Sequence, residues 1–470
     1  MPIFIYNSLS RKKEELIPLN PKEIKMYVCG PTVYDQSHIG HARSAYIFDV
    51  IRRYLIYRGY QVKFVRNVTD VDDKIIDKAQ KEFKGEDLNA AVQKVSTKYL
   101  DLYHEDMKSL GILEPDVEPK ATEYVSSENP LMQKFIEQLI EKGCAYASEG
   151  DVYFDIKKAK GYGKLSNQAI EKMESGARIA LGEKKKDPLD FALWKSAKAG
   201  EPAWDSPWGK GRPGWHIECS VMSSDILGDE FDIHGGGIDL IFPHHENEIA
   251  QSEGVGNKFA RYWIHHGLLT INGQKMSKSL GNFITVKDFL GKYKNADLLK
   301  LLFLSTHYSH PVDYTDEKIQ EAKQALERIN ILRDKLDKPL AEKPAGKVPK
   351  ELEDVKDKFI KAMNDDFNTP QALAVIFDLI NISNKNIDDQ DFIFYARLFL
   401  RELTNILGIV LEKETGSKDL QASINVLINQ RNEARKKKDF KRSDEIRKEL
   451  EDKDIILEDT KDGTTWRRKL

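Results

Sequence analysis

The stretch "IKMYVCGPTVYDQSHIGHARSAYIFDVIRRYLIYRGYQVKFVRNV", residues 24–68, decides the fold. Ile24–Cys29 reads as a buried strand, broken by Gly30 and Pro31. Ala45, Phe48, Ile51 and Leu55 recur at helical spacing, and Gly59 stops that helix. Tyr60–Val68 reads as a second strand. Strand, helix and strand make a βαβ unit, which predicts a parallel sheet with right-handed crossovers. In such a sheet the ligand lies where the first strand ends, here Cys29–His41.

Outside this unit the chain has ordinary globular composition. With 470 residues it has room for about three domains. Hydrophobic residues make up 40% and charged residues 32%, and no apolar run approaches the roughly 20 residues of a membrane span. The start, "MPIFIYNSLSRKKEE", has no long apolar stretch followed by a cleavage site. Three cysteines far apart (Cys29, Cys144, Cys219) argue against a disulfide framework and for a cytoplasmic location. A net charge of −3 means that any nucleic acid must be met by a local basic surface.

The nucleotide-binding sheet is expected in two halves, 1–120 and 201–285, separated by an insertion over 121–200. The insertion holds a hairpin at "YASEGDVYFDI" and the basic run "GEKKKD". After about residue 285 the chain reads as almost entirely helical, in three parts: 286–338, 350–411 and 420–470. Pro339, Pro344, Gly346 and Pro349 mark one linker and Glu412–Asp419 a second. Thr369 is expected to cap a helix that has Pro370 at its first position.

Two short motifs carry chemistry. "HIGH" (His38–His41) opens the first helix, where backbone N–H groups and the helix dipole favour anions. By itself it reads equally well as a pair of capping histidines. "KMSKS" (Lys275–Ser279), between Gly273 and Gly281, offers two lysines to a triphosphate; alone it reads as a solvated loop. No GxxxxGK[ST] phosphate loop is present. Six of eleven histidines fall between His216 and His266, with Cys219, His244 and Glu248 among them. An H-x-x-x-E spacing puts His244 and Glu248 on one helix face, and two thiolates, one imidazole and one carboxylate suit tetrahedral zinc. His245 or Glu246 serve as alternative ligands, and spacing alone does not bring Cys29 to Cys219.

HIGH followed by KMSKS resembles the class I aminoacyl-tRNA synthetases. "MYVCGPTVYDQSHIGHAR", "NVTDVDDKII", "SPWGKGRPGWHIECSVM", "DIHGGGIDLIFPHHENEIAQSE", "KMSKSLGNF" and "DEIRKEL…GTTWRRK" are similar to the cysteinyl-tRNA synthetase family nearly end to end. The resemblance implies an α/β Rossmann-like class I synthetase catalytic domain with an insertion. All-α domains follow (a stem-contact region at 286–338 and a DALR-like bundle at 350–411), with a small C-terminal anticodon-binding unit at 420–470. It implies one Zn²⁺ per subunit, on Cys29, Cys219, His244 and Glu248, and an amino-acid pocket lined by Thr69, Trp215 and Asp239. For Trp215 and Asp239 the plain alternatives are core packing and a cap.

The implied reaction joins L-cysteine to tRNA(Cys) at the expense of ATP (with Mg²⁺), through cysteinyl-adenylate, in a monomer. His38, His41, Lys275 and Lys278 would manage phosphate charge, while Gly235, Gly236 and Gly237 let the backbone approach adenosine. Shape alone separates near-isosteric amino acids by only about 10- to 200-fold, whereas zinc bonds a thiolate and not a hydroxyl. Residues 431–448 hold nine Lys/Arg against four acids, and Arg431, Asp439, Phe440 and Asp444 are the candidate tRNA contacts there. The bland alternative is a solvated charged helix. Cys144 reads as structural. A cysteine-to-amino-sugar ligase should lack this complete tail, and a non-catalytic RNA-binding relative should have lost motif residues. A zinc hydrolase needs a water position that four protein ligands do not leave.

Overall fold

The computed structural model describes residues 1–168, 184–277, 280–337, 344, 346–411, 418–452, 455–460 and 463–468. Its centre is a four-stranded, all-parallel sheet of β1 (Glu23–Val28), β2 (Gln61–Arg66), β3 (Glu230–Gly237) and β4 (Phe259–His266). The strand order is β4-β3-β1-β2. The helices that matter for the site are α1 (Ile39–Tyr57), α2 (Trp215–Leu227) and α3 (Glu246–Gly254).

Helix α1 follows the expected spacing: Ala45, Phe48, Ile51 and Leu55 are all buried, and Gly59 closes the helix at φ +90°. Its second face is buried as well. Tyr46 donates to the Leu407 carbonyl (2.5 Å), Tyr54 to Asn364 Oδ1 (2.7 Å) and Tyr57 to Glu402 Oε1 (2.9 Å). So α1 lies between the sheet and the helices Lys350–Asn364 and Gln390–Ile406. The two faces of the sheet feed separate cores. Met26, Val28, Phe64, Ile233 and Ile264 join α1 and the helical part, while Tyr27, Val65, Phe231 and Trp263 join α2 and the insertion.

The insertion forms an antiparallel sheet of Ala145–Ser148, Asp151–Phe154, Phe191–Ser196 and Gly211–Pro213. The hairpin forms at the expected place, turning on Glu149 and Gly150, both at positive φ (47° and 91°). The last strand lies beyond residue 200 because Trp204 and Gly211 pair and fold the chain back onto the sheet.

One expectation is corrected in the C-terminal part. Asn368, not Thr369, caps the helix Thr369–Lys385, accepting from Gln371 N–H at 3.1 Å. The chain beyond 285 is mostly helical, as expected, with a few short strands. Val312–Tyr314 pairs in parallel with Leu269–Ile271, and the end of the chain is a hairpin of Ile455–Thr460 with Gly463–Arg468. Its β-branched residues were masked in the sequence by surrounding charge.

Candidate active site and metal centre

From β1 the chain crosses to β2 on one side, while β3 and β4 lie on the other. The crevice at this switch point opens above the ends of β1 and β3. Register pairs Val28 with Gly235, and Cys29 N–H donates to the Gly235 carbonyl at 3.1 Å. Cys29 and the glycines that end β3 stand at this junction.

Cys29 leaves β1, Cys219 projects from α2, and His244, in the turn Ile241–His245 just before α3, stands one turn from Glu248 in the first turn of α3. One donor atom from each lies within 4.8 Å of the others. The edges are Sγ–Sγ 3.7 Å, Cys219 Sγ–His244 Nε2 3.6 Å, His244 Nε2–Glu248 Oε1 3.0 Å and Cys29 Sγ–Glu248 Oε1 3.7 Å. Ligands at zinc–sulfur and zinc–nitrogen distances of about 2.3 and 2.0 Å, spread tetrahedrally, are separated by roughly 3.3–3.8 Å. Four edges in or near that range, with two sulfurs too far apart for a disulfide, fit a shared metal ion.

Among the described residues a second, overlapping group exists: Cys29, His234, His245 and Glu248. It has one sulfur, and His234 Nε2 is bonded to Glu248 Oε2 at 2.7 Å, which orients the carboxylate from behind. His245 Nε2 is 3.2 Å from Cys29, and its Nδ1 is joined to His265 Nε2 at 2.8 Å. Glu246 drops out as a ligand, because it accepts from the main-chain N–H of Ser166 at 2.8 Å.

The electrostatics favour a cation. Although burial opposes it, Glu248 and Cys219 hold the His244 imidazole up at about 10. Burial likewise opposes ionisation of Glu248, yet His234 and His244 keep it well below the carboxylate range. Burial and the neighbouring Cys219 push the Cys29 thiol up. The Tyr27 hydroxyl is fully buried beside Cys219 and Cys29, and burial with those neighbouring sulfurs holds its pKa well above the ordinary value. A buried carboxylate facing two sulfurs and an imidazole is a donor set that a bound cation would complete.

Trp215 stacks on His244 (ring centroids 4.1 Å apart, 24° between planes) and keeps 39% exposure. Thr69 is buried, its hydroxyl donating to Glu218 Oε2 at 2.6 Å. Asp239 is exposed in the turn that follows β3. Trp215 therefore borders the metal cluster, whereas Thr69 joins the same wall through α2.

At the start of α1, His38 is the N-cap. Its Nδ1 accepts from Gly40 N–H (3.1 Å) and His41 N–H (3.3 Å), while His41 Nδ1 accepts from His38 N–H (3.4 Å). The rings stack 3.7 Å apart. This revises the reading of the helix start, since the backbone N–H groups of Gly40 and His41 are already bonded to an imidazole. Both Nδ1 atoms are acceptors, so in neutral rings the outward donors are the Nε2–H groups. Burial and His38 lower the His41 pKa to about 3, which keeps that ring neutral. A Cβ on Gly40 would stand 2.9 Å from the His38 ring.

Gly235, Gly236 and Gly237 are not in a turn. They are the buried last residues of β3, where a Cβ would meet Phe48 of α1 (2.3 Å), His245 (2.8 Å) and Asp239 (2.4 Å) respectively. Packing therefore demands glycine at Gly235 and Gly236, against the buried Phe48 and His245 rings, whereas at Gly237 the neighbour is the end of the exposed Asp239 side chain, which can turn away. Lys275 ends the short strand Gln274–Lys275 and is exposed; Lys278 lies outside the described residues. Asn282 ties the loop, accepting from Ser277 N–H at 2.8 Å and donating to the Lys275 carbonyl at 3.2 Å.

In the C-terminal unit Arg431 is corrected from a surface contact to a buried strut. It is 3% exposed, with its guanidinium on both oxygens of Asp459 at 2.9 and 2.8 Å. Asp439 caps the helix Phe440–Glu451 through Arg442 N–H (3.1 Å). Phe440 is 63% exposed and Asp444 is exposed. Arg431 holds Asp459 well below the carboxylate range. A depressed folded-state pKa stabilises above the unfolded value, about 3.9, and the gain is lost as pH falls through the folded value. Arg431→Met is expected to loosen the terminal hairpin by about 1–2 kcal/mol at pH 7. That is less than a fully buried pair would give, because Asp459 keeps solvent contact. Hydrogen exchange of Ile455–Thr460 in the full chain, at pH 7 and near pH 2, would read both effects.

Sequence reasoning missed Tyr27 and Glu218, which carry no motif of their own, and read His234 only as the head of a glycine run. Their roles come from the fold: Tyr27 and His234 pair on neighbouring strands beside the cluster, and Glu218 precedes Cys219 on α2. Among the described residues no helix is long and apolar enough to cross a membrane.

Comparison with known proteins matches residues 15–324 to the class I (C) tRNA synthetase catalytic domain and 358–412 to the DALR domain. Residues 417–467 match the cysteinyl-tRNA ligase anticodon binding domain. The cysteine–tRNA ligase of Geobacillus thermodenitrificans (strain NG80-2) is 48% identical over 478 residues, covering 99% of each chain. That of Anoxybacillus flavithermus (strain DSM 21510 / WK1) is 49% identical, covering 100% of each. In fold, the chain is similar to Mycobacterium tuberculosis methionyl-tRNA synthetase in complex with methionyl-adenylate. There the TM-score is 0.59 at 15% identity, over 82% of this chain and 90% of that one. The chain belongs to the cysteine–tRNA ligase family of class I aminoacyl-tRNA synthetases.

Proposed function

We propose that this enzyme selects L-cysteine through a thiolate–zinc bond at Cys29, Cys219, His244 and Glu248, activates it with ATP, and charges tRNA(Cys). The observation that carries this reading is the four-donor cluster at the switch point, set at tetrahedral spacing beside the HIGH helix. When bound, zinc supplies a soft Lewis acid that takes a thiolate and leaves a neutral hydroxyl.

The chain's own residues do the rest. Trp215, stacked on His244, walls the amino-acid pocket, with Thr69 and Asp239 completing its rim. The pocket holds the cysteine carboxylate toward the α-phosphate of ATP, which enters with Mg²⁺. Carboxylate oxygen bonds to the α-phosphorus as pyrophosphate leaves, and a terminal ribose hydroxyl of the tRNA then attacks the cysteinyl carbonyl, losing its proton as the acyl–phosphate bond breaks and AMP leaves. His38 and His41 meet the developing phosphoryl charge through Nε2–H, Lys275 and Lys278 follow the departing pyrophosphate, and Gly235–Gly237 border the adenosine. Domains divide as 1–120 and 201–285 for chemistry, with the insertion at 121–200 between them. Residues 286–338, 350–411 and 420–470 serve the tRNA body, with Asp439, Phe440 and Asp444 toward the anticodon.

Phe440, a large exposed aromatic beside basic residues, offers a base-stacking face. Phe440→Ala is expected to raise the KM for tRNA about tenfold and leave cysteine-dependent pyrophosphate exchange unchanged. Unaltered charging kinetics would remove it from the interface. The function as a whole is tested by ATP–pyrophosphate exchange with each of the twenty amino acids, followed by charging of total tRNA. Exchange with cysteine and charging of tRNA(Cys) are expected; cysteine exchange without charging would point to a different acceptor.

A further inference from the structure

We propose that Arg43 is a positioning residue that fastens the strand entering the KMSKS segment to the HIGH helix and so sets the spacing between the imidazoles and Lys275. The inference rests on the reading of these motifs given above. Arg43 lies two residues past His41 and is fully buried. Its guanidinium donates to four main-chain carbonyls: Gly267 and Leu268 at 2.6 Å, His310 at 2.5 Å and Tyr308 at 3.2 Å. Among the described residues only its Nε–H finds no partner. A buried arginine filled by carbonyls instead of a carboxylate binds backbone, and the backbone it binds is specific.

Those carbonyls are the roots of two strands. Gly267 and Leu268 lead into Leu269–Ile271, and Tyr308 and His310 lead into Val312–Tyr314, which pair in parallel. Gln274–Lys275 folds back onto the first of them, with Thr270 opposite Lys275. The far end of the KMSKS segment is held at the same place. Ile39 N–H donates to the Ile284 carbonyl (3.1 Å) and Val286 N–H to that of Ser37 (3.0 Å). Met276 also reaches within 3.5 Å of the point a Gly40 Cβ would occupy. Entrance and exit of the segment are thus both fastened to Ser37–Arg43, the entrance through one side chain. Misplacing a phosphate-handling group by about 1 Å costs up to 10²-fold in rate.

The test is ATP–pyrophosphate exchange on the full-length, zinc-loaded enzyme, comparing wild type with Arg43→Met, Arg43→Lys and Gly267→Ala. Arg43→Met should lower kcat roughly 10- to 100-fold, with the KM for cysteine and the metal content unchanged. Arg43→Lys should recover part of the loss. Gly267→Ala leaves Arg43 intact but puts a Cβ 2.3 Å from the His310 carbonyl carbon, forcing the roots apart. It should show the same kcat-only loss, and it decides the matter if Arg43→Met does not fold. Full kcat in the variants, or parallel changes in cysteine KM and metal content, would overturn the positioning role. A wild type that shows no exchange with cysteine would instead overturn the functional reading beneath it.

Discussion

Cys219→Ala is expected to release the metal and lower kcat/KM for cysteine by at least about 100-fold, the upper end of what losing a second-shell partner costs. The loss should be larger than for most ligand changes, because Cys219 carries three duties. It is buried, it supplies one of the two sulfurs, and although burial opposes it, hydrogen bonds from Cys29 and His244 draw its thiol below the ordinary range. Alanine leaves Cys29 with no second sulfur, and Glu248 with an imidazole cage in place of a cation. Metal content by mass spectrometry and cysteine-dependent exchange should fall together. Retained metal with normal kinetics would remove Cys219 from the site.

His41→Ala is expected to lower kcat for exchange by roughly 10²–10³-fold, the scale of losing one donor to developing charge. The KM for cysteine and the metal content should hold, since His41 lies on α1 and the metal cluster hangs from β1, α2 and α3. His38→Ala should add about 1 kcal/mol of lost helix capping, because His38 Nδ1 holds two backbone N–H groups. Thermal unfolding alongside exchange separates these effects. An unchanged kcat in His41→Ala would deny the imidazole its phosphate role.

The βαβ unit was legible because its signals are local: one apolar period and two glycine stops. The second buried face of α1 was not, since its partners Asn364, Glu402 and Leu407 lie more than 300 residues away. The metal set became legible only through family resemblance, because what brings Cys29 to the cluster is the pairing of Val28 with Gly235. Arg431 was misread for a general reason. Counting charge over residues 431–448 does not distinguish a solvated arginine from one whose partner, Asp459, sits on a later strand. The glycines of β3 carry the converse lesson: in a run read as letting the backbone approach adenosine, Gly235 and Gly236 are already required by Phe48 and His245.

Thiolate selection on zinc is tested most directly by X-ray absorption at the zinc edge, with and without L-cysteine. Two sulfur neighbours at about 2.3 Å are expected in the free enzyme and three with cysteine, while L-serine leaves the count at two. A sulfur count that does not rise with cysteine, or a purified enzyme without zinc, would contradict the account.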